Sequence, residues 1–286
     1  MIAKDAFAEG LQRLRHPVLP LVAIVQFLYL TGEFATFEEI VAQLPEDIET
    51  RYTKYSNPSA DLAPYLDLLT PLAALKSGAL AAELVVDIHD QPVDKTTAVM
   101  ALISQQILTR ELEAINSALC APCGCTLCCV GPEAGMTQAF FEIPLVDDEW
   151  RQFPVERIDS ADSQARLADD ETPLMVAGAP FYEYSQPRLI HWQQGWSLIL
   201  PQASRCPNLE ESGRCRVYPE RPQVCRRPQI FPYVVEPATR QGQATVRLRQ
   251  SLLAVVDCPY VRQLQEEIAA YAAACELEMV FRHNKA

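Results

Sequence analysis

Five cysteines fall within ten residues near the middle of the chain, and this spacing is the first feature that could do chemistry. They are Cys120, Cys123, Cys125, Cys128 and Cys129. Cysteines that only fill a core usually occur singly, as small hydrophobic side chains. Cysteines two or three residues apart instead allow several thiolates to converge on one metal centre. The segment therefore predicts part of a metal site.

A second cysteine-rich segment, residues 205–228, contains Cys206, Cys215 and Cys225. It is rich in proline, glycine and arginine, and it has little apolar periodicity with which to fold by itself. A shared metal would supply the missing stability, because binding free energy becomes folding free energy in such modules. Cys258 precedes Pro259, which favours the first helical position, so Cys258 is predicted at a helix N-terminus, where the dipole favours a thiolate.

The tenth cysteine belongs to a different pattern. Cys275 continues an apolar stripe that runs from Val261 to Met279 in steps of three and four residues. This spacing predicts a helix with Cys275 buried in the core. The other nine cysteines are the predicted metal ligands: Cys120, Cys123, Cys125, Cys128, Cys129, Cys206, Cys215, Cys225 and Cys258.

Ten cysteines could also form disulfides, so the cellular compartment matters. The apolar run 18–30 is the candidate export signal, but Asp5 and Glu9 precede it, and Pro20 interrupts it. No small-residue cleavage site follows, and the run is too short to span a bilayer. We therefore expect a cytoplasmic protein with no membrane association, whose clustered thiols bind metal. A disulfide-stapled interaction protein is the main competing interpretation.

The charge balance is acidic, with 24 lysines and arginines against 37 aspartates and glutamates, a net charge of −13. A surface of this kind repels phosphate backbones and anionic lipid. We therefore expect no nucleic-acid partner, and a protein or small molecule remains the expected class of partner.

The elements that position the cysteines begin with helices. Residues 18–30 are predicted as a buried helix, Thr36 as the N-cap of the next one, and residues 62–86 as apolar helix broken by prolines. Asp94 is predicted to cap a long amphipathic helix that ends at Cys120. This segment before the cysteines is therefore predicted to be all helical.

The second half is less regular. Residues 140–146 and 173–200 contain apolar and aromatic runs that predict strands. The predicted fold class is mainly α, with a helical N-terminal domain at 1–116 and an irregular α+β cysteine-rich metal-binding module at 117–286.

The order of the cysteine motifs resembles a known family. The sequence reads Cys125-Thr-Leu-Cys128-Cys129, then Cys206-Pro-Asn-Leu, then Gly-Arg-Cys-Arg-Val-Tyr-Pro-Glu-Arg-Pro-Gln-Val-Cys-Arg at 213–226, then Cys258. This is similar to the YkgJ-type cysteine-cluster proteins, which carry a CxxCxxCC motif, over roughly residues 117–265. The resemblance implies a module that chelates zinc or iron.

The match departs from the motif at its first cysteine, because Cys123 stands two residues before Cys125 where the family has three. Either Cys120 or Cys123 could be the first ligand. Some relatives look like lysine N-methylases acting on flagellin, so a metal-dependent enzyme is an alternative function. The chain has no two glycines one residue apart, so it lacks the glycine-rich loop of dinucleotide-type sites.

Zinc and an iron–sulfur cluster both suit thiolate ligands. The paired cysteines of the first segment fit zinc, whereas the single cysteines of the second segment fit an iron–sulfur cluster such as a 4Fe-4S centre. The metal could be structural, redox-active or sensing. An enzyme is a further alternative, in which Arg221, Arg226 and Arg227 hold an anionic substrate; the simpler interpretation is that these arginines pair with acidic groups at the surface.

Overall fold

The computed structural model of the protein describes residues 3–78, 85–240 and 242–283. The contacts between Cα atoms divide the chain into two compact units. Unit 1 contains Met1–Cys123 and Gln229–Ala286, and unit 2 contains Gly124–Pro228. The domains predicted at 1–116 and 117–286 stay a prediction, since a division by contacts does not measure which part folds alone.

The first segment of unit 1 is mostly helical. Its helices are α1 (Ala8–Arg15), α2 (Leu19–Thr31), α3 (Phe37–Ala42), α4 (Pro58–Leu62), α5 (Thr70–Lys76) and α6 (Lys95–Cys123), with 3-10 turns at Lys4–Phe7 and Ala63–Leu69. Three short strands accompany them: β1 (Ile48–Glu49), β2 (Lys54–Tyr55) and β3 (Val85–Val86). Side chains from α2, α3 and α6 pack into one hydrophobic core with Leu62, Leu69 and Leu72.

Two of the predicted helix starts are confirmed by their caps. The hydroxyl of Thr36 accepts a hydrogen bond from the backbone N–H of Glu39 at 3.2 Å, and a carboxylate oxygen of Asp94 accepts one from Thr97 at 3.0 Å. Each cap satisfies a backbone donor that the first helical turn leaves without a partner.

The predicted helix over 62–86 is only partly present. Pro64 and Pro71 lie at breaks between short helical pieces, as expected of residues that lack a backbone N–H. Residues 79–84 of this prediction lie outside the described residues. Val85 and Val86 form strand β3, in keeping with the preference of β-branched side chains for extended backbone.

Unit 2 is built around a small sheet. Its elements are β4 (Phe140–Pro144), β5 (Arg157–Ile158), α7 (Ala161–Gln164), β6 (Met175–Val176), β7 (Ala179–Pro180), β8 (Arg188–Trp192), β9 (Gly195–Pro201) and α8 (Gln223–Arg226), with 3-10 turns at Leu127–Cys129, Glu149–Gln152 and Tyr218–Glu220. The strand order is β4-β9-β8-β5, with β5 parallel to β8 and the other pairs antiparallel. The strands predicted within 140–146 and 173–200 are confirmed.

Alternate residues along β8 and β9 enter two different core clusters. Leu189, Leu198 and Leu200 lie in one cluster, while Ile190 and Ile199 lie in the other. Successive side chains of a strand point to opposite faces, so the sheet carries a hydrophobic layer on each side.

The last segment of unit 1 contains β10 (Ile230–Arg240), β11 (Gln243–Val255), α9 (Pro259–Gln263), α10 (Gln265–Ala274) and β12 (Glu278–Arg282). β10 and β11 form a long antiparallel hairpin, and β3 and β12 both run parallel to β11. The predicted mainly α fold class is therefore wrong, because the structure is 41% helical and 23% strand in several sheets. The β10–β11 hairpin was not predicted from the sequence.

The helix predicted from Val261 to Met279 ends early. Helix α10 stops at Ala274, Glu276 has a positive φ of 57°, and Met279 lies in β12. The prediction that Cys275 is a core residue is confirmed, since its exposed fraction is 5%.

One helical stretch, Lys4–Thr31, is long and apolar enough by composition to cross a membrane. Of its most apolar 18 residues, 44% are buried inside the structure. Buried core helices and signal sequences meet the same criterion. The expected cytoplasmic location and lack of membrane association stay predictions.

Candidate metal centre

The nine predicted ligands are divided between the two units. Unit 2 contains Cys125, Cys128, Cys129, Cys206, Cys215 and Cys225. In unit 1, Cys120 and Cys123 lie in the last turn of α6, and Cys258 is the N-cap of α9, as predicted. Pro259 follows Cys258 at the first helical position.

Backbone pairing joins the first cysteine segment to the second. The N–H of Cys206 donates to the carbonyl oxygen of Cys129 at 2.8 Å, and that of Gly131 donates to Ser204 at 2.9 Å. Between them, Val130 and Arg205 form an antiparallel bridge. These hydrogen bonds place Cys129 beside Cys206, although the two residues lie far apart in sequence.

Gly131 makes this close approach possible. A Cβ atom at this position would lie 1.9 Å from the carbonyl oxygen of Pro201, far inside van der Waals contact. Only a residue without a side chain fits where two backbones meet so closely.

A compact loop returns the chain from Cys206 to Cys215. Leu209 bridges to Cys215, and the N–H of Leu209 donates to the carbonyl oxygen of Cys206 at 3.0 Å. The loop is organised around Asn208, a buried amide whose Oδ1 accepts from Arg216 at 2.9 Å. The Nδ2 of Asn208 donates to the carbonyl oxygen of Gln152 at 3.2 Å, which ties the loop to the rest of unit 2.

Cys225 lies in the short helix α8, which side chains hold at both ends. A carboxylate oxygen of Glu149 accepts from the N–H of Gln223 at 2.8 Å, at the start of α8. The guanidinium of Arg221 donates to the carbonyl oxygen of Cys225 at 3.0 Å and lies 4.0 Å from the ring centroid of Tyr218. Arg221 is 5% exposed, so its observed contacts orient the backbone at Cys225.

The thiols of this region influence one another. Burial raises the pKa of the Cys129 thiol strongly, and the neighbouring thiols of Cys206, Cys128, Cys225 and Cys215 raise it further. Burial likewise raises the pKa of Cys206, and it raises that of Cys225 to about 12. Mutual repulsion between thiolates requires the sulfur atoms to lie in one neighbourhood.

Five thiols from the two cysteine segments therefore influence one another in unit 2: Cys128, Cys129, Cys206, Cys215 and Cys225. Within residues 3–78, 85–240 and 242–283, no three His, Cys, Asp or Glu side chains stand in an arrangement ready to hold a metal ion. The donors nevertheless fit in type, because thiolates are the ligands that zinc and iron–sulfur centres prefer. A cation there would also reverse the pKa pattern, since metal binding deprotonates a thiol.

Sequence reasoning missed the residues that hold the loops. Asn208 and Glu149 act through hydrogen bonds to Gln152 and Gln223, which lie far away in sequence, and such bonds leave no local pattern to recognise. Arg216 acts through Asn208. The close approach at Gly131 was also not predicted. Cys129, Cys206, Cys215 and Cys225 carry free thiols, so these four do not take part in disulfides in this structure.

Comparison with known proteins gives the class of the site. A family model described as "CxxCxxCC: Putative zinc- or iron-chelating domain" matches residues 119–275, more than half of the chain. The class is therefore that of cysteine-rich metal-chelating domains, which supports metal binding in general. The chain belongs to the CxxCxxCC family, and the resemblance noted in its sequence is confirmed. No curated protein and no solved structure matches the chain.

Proposed function

We propose that the protein binds an iron–sulfur cluster through its clustered cysteine thiolates. The observation that carries the proposal is the backbone pairing that places Cys129 beside Cys206. The thiols of Cys128, Cys206, Cys215 and Cys225 also raise the pKa of Cys129, which supports a shared site. Cys120, Cys123, Cys125 and Cys258 are proposed as further ligands on their spacing alone.

The number and spacing of the cysteines favour iron–sulfur over zinc. A structural zinc ion takes four ligands and usually draws them from two closely spaced pairs. Here three of the converging cysteines stand alone, nine and ten residues apart. Nine proposed thiolates exceed the needs of one zinc ion and would suffice for two four-ligand clusters.

In this proposal the cluster both joins the cysteine segments and supplies electron-transfer chemistry when bound. The protein's own residues set the geometry: the Cys129–Cys206 backbone pair, the Asn208 loop and the Arg221 contact hold the cysteine backbones in place. Four of the five cysteines are partly shielded, since Cys129, Cys206, Cys215 and Cys225 are half-buried, whereas Cys128 is exposed. Partial burial limits access of water and oxidants, which cluster stability requires. A reducing, cytoplasmic location follows from the same need.

The test is metal analysis of protein purified without oxygen, by mass spectrometry, sulfide assay and visible absorption. We expect iron and sulfide together with broad absorbance at about 400 nm. Colourless protein that contains zinc would refute the iron–sulfur proposal and support a zinc site. Protein with neither metal and with few thiols in denaturant would instead support a disulfide-stapled protein.

Cysteine variants assign the ligands. Cys206→Ser and Cys225→Ser should lose most of the metal, whereas Cys275→Ala should keep it, because Cys275 lies in the core of unit 1. Circular dichroism then separates structural from functional metal. A variant that loses metal and unfolds indicates a structural role, and one that loses metal but stays folded indicates a redox or sensing role.

A further inference from the structure

Unit 1 contains a cavity of about 500 Å³ that none of the proposed metal ligands lines. Residues of α2, α6, β10, β11 and the end of α10 form its wall, together with the turn between β1 and β2. Cavities of about 300–1,000 Å³ are the usual size for small-molecule sites. The cavity is thus large enough for a ligand and is separate from the cysteine chemistry.

A buried amide in the wall lacks a partner. Gln26 of α2 is 2% exposed, and its Nε2 has no hydrogen-bond partner among the residues that the structure describes. A buried N–H donor without an acceptor is rare and costly in native proteins. The side chain ends in a torsion that rotates easily, so Nε2 can turn toward an acceptor in the cavity. An oxygen atom of a ligand would remove the cost.

The remaining wall defines what kind of molecule fits. Leu19, Met100, Val234 and other aliphatic side chains supply most of the surface, which suits an apolar body. The charged residues of the wall, Arg51 and Glu276, have opposite signs and are exposed. This balance selects neither an anion nor a cation, so it favours a neutral ligand.

Two backbone irregularities border the same cavity. Strand β11 carries an extra residue where its pairing with β10 shifts, between Tyr233 and Val235, and Gln250 there has a positive φ of 52°. Glu276 has a positive φ of 57°. Bulges and left-handed residues other than glycine cost stability and concentrate near functional sites.

We propose that this cavity binds a small neutral molecule with an apolar body and a carbonyl oxygen that accepts a hydrogen bond from Gln26 Nε2. The test uses octanamide as the probe, which has a carbonyl acceptor and an eight-carbon body. Binding is followed by NMR of full-length protein labelled with ¹³C at the methionine methyl groups. Met100 lines the cavity, while Met136 and Met175 belong to unit 2 and serve as internal controls.

Octanamide should shift the Met100 methyl signal to saturation and leave those of Met136 and Met175 in place. Gln26→Leu should weaken binding about tenfold, the value of one hydrogen bond, while its thermal midpoint stays equal or rises. Ala23→Phe, which fills the exposed side of the cavity, should abolish the shift. No saturable Met100 shift, equal shifts at all three methionines, or unchanged affinity in Gln26→Leu would overturn the proposal.

Discussion

Glu111 should make the stability of unit 1 fall as the pH rises toward neutrality. This carboxyl group of α6 is buried, with an exposed fraction of 6%. One oxygen accepts from the N–H of Val18 at 2.8 Å, and the other accepts from the hydroxyl of Tyr271 at 2.6 Å. Burial dominates over these hydrogen bonds and raises the pKa of Glu111 from 4.5 to about 7.

The sign and size of the effect follow from this pKa difference. The folded protein holds the proton of Glu111 more tightly than the unfolded chain, so the contribution of Glu111 to stability is highest below pH 4.5 and falls until the pH passes about 7. Each pKa unit corresponds to about 1.4 kcal/mol, which gives a loss of about 3 kcal/mol across this window.

Glu111→Gln isolates the effect because glutamine does not ionise. The stability of the variant relative to wild type should increase by about 3 kcal/mol between pH 4.5 and pH 8, whatever offset its altered hydrogen bonds introduce. Urea unfolding followed by helical circular dichroism gives this difference at each pH. Trp150, Trp192 and Trp196 all lie in unit 2, so tryptophan emission reports that unit separately.

A difference that does not change with pH would refute the reasoning. Tyr271→Phe is the matched second variant, because the Tyr271 hydroxyl lowers the pKa of Glu111 by donating to it. Its removal should raise the pKa of Glu111 further and enlarge the pH dependence that Glu111→Gln abolishes.

Three further substitutions test contacts within each unit. Asn116→Ala should cost about 3 kcal/mol in urea unfolding, because it leaves the buried N–H and carbonyl groups of Ile230 without the partners that Asn116 supplies at 3.2 and 2.7 Å. Gly131→Ala should destabilise unit 2 by about 2 kcal/mol or more, because the added Cβ would clash with the carbonyl oxygen of Pro201 at 1.9 Å. Urea unfolding followed by tryptophan emission measures this loss. Thr36→Ala should lower the free energy of unfolding of unit 1 by about 1 kcal/mol, measured by helical circular dichroism, because it removes the cap of α3.

Two of these substitutions have a matched control. Gly135→Ala meets open space, so it should cost only the strain of a positive φ of 98°, about 1 kcal/mol. Thr36→Ser retains the capping hydroxyl and should keep most of the stability. An Asn116→Ala protein as stable as wild type would show that water replaces the amide, against the burial seen here.

Local signals explain what the sequence could predict. The caps at Thr36 and Asp94 and the apolar stripe of α6 are patterns within a few helical turns, and the structure contains them. The same holds for Cys258 before Pro259 at the start of α9. In each case the residues that define the element are also those that stabilise it.

The missed hairpin shows where such signals end. Strand β10 contains Pro232 and Pro237, which argue against a central strand when only the sequence is considered. In the sheet, β10 is paired on one side by β11, and the side chain of Gln105 from α6 hydrogen-bonds Pro232 and Val234. A helix that satisfies backbone groups of an outer strand makes the prolines tolerable, and this arrangement depends on contacts more than 100 residues apart in sequence.

The cysteine segments depend both on local sequence signals and on contacts between residues distant in sequence. Their spacing predicts thiolate chemistry, and the composition of the second segment predicts that a shared metal supplies the stability it lacks. The structure adds metal-independent contacts: the backbone pair of Cys129 with Cys206, the Asn208 amide and the Glu149 carboxylate each hold part of it. Contacts that hold the cysteine backbones near one another lower the entropy cost of binding a metal, although the side chains must still rearrange to coordinate it. Burial, and after it the repulsion of neighbouring thiolates, raises the pKa values of Cys129 and Cys225, so both effects oppose ionised thiols at this place without a cation.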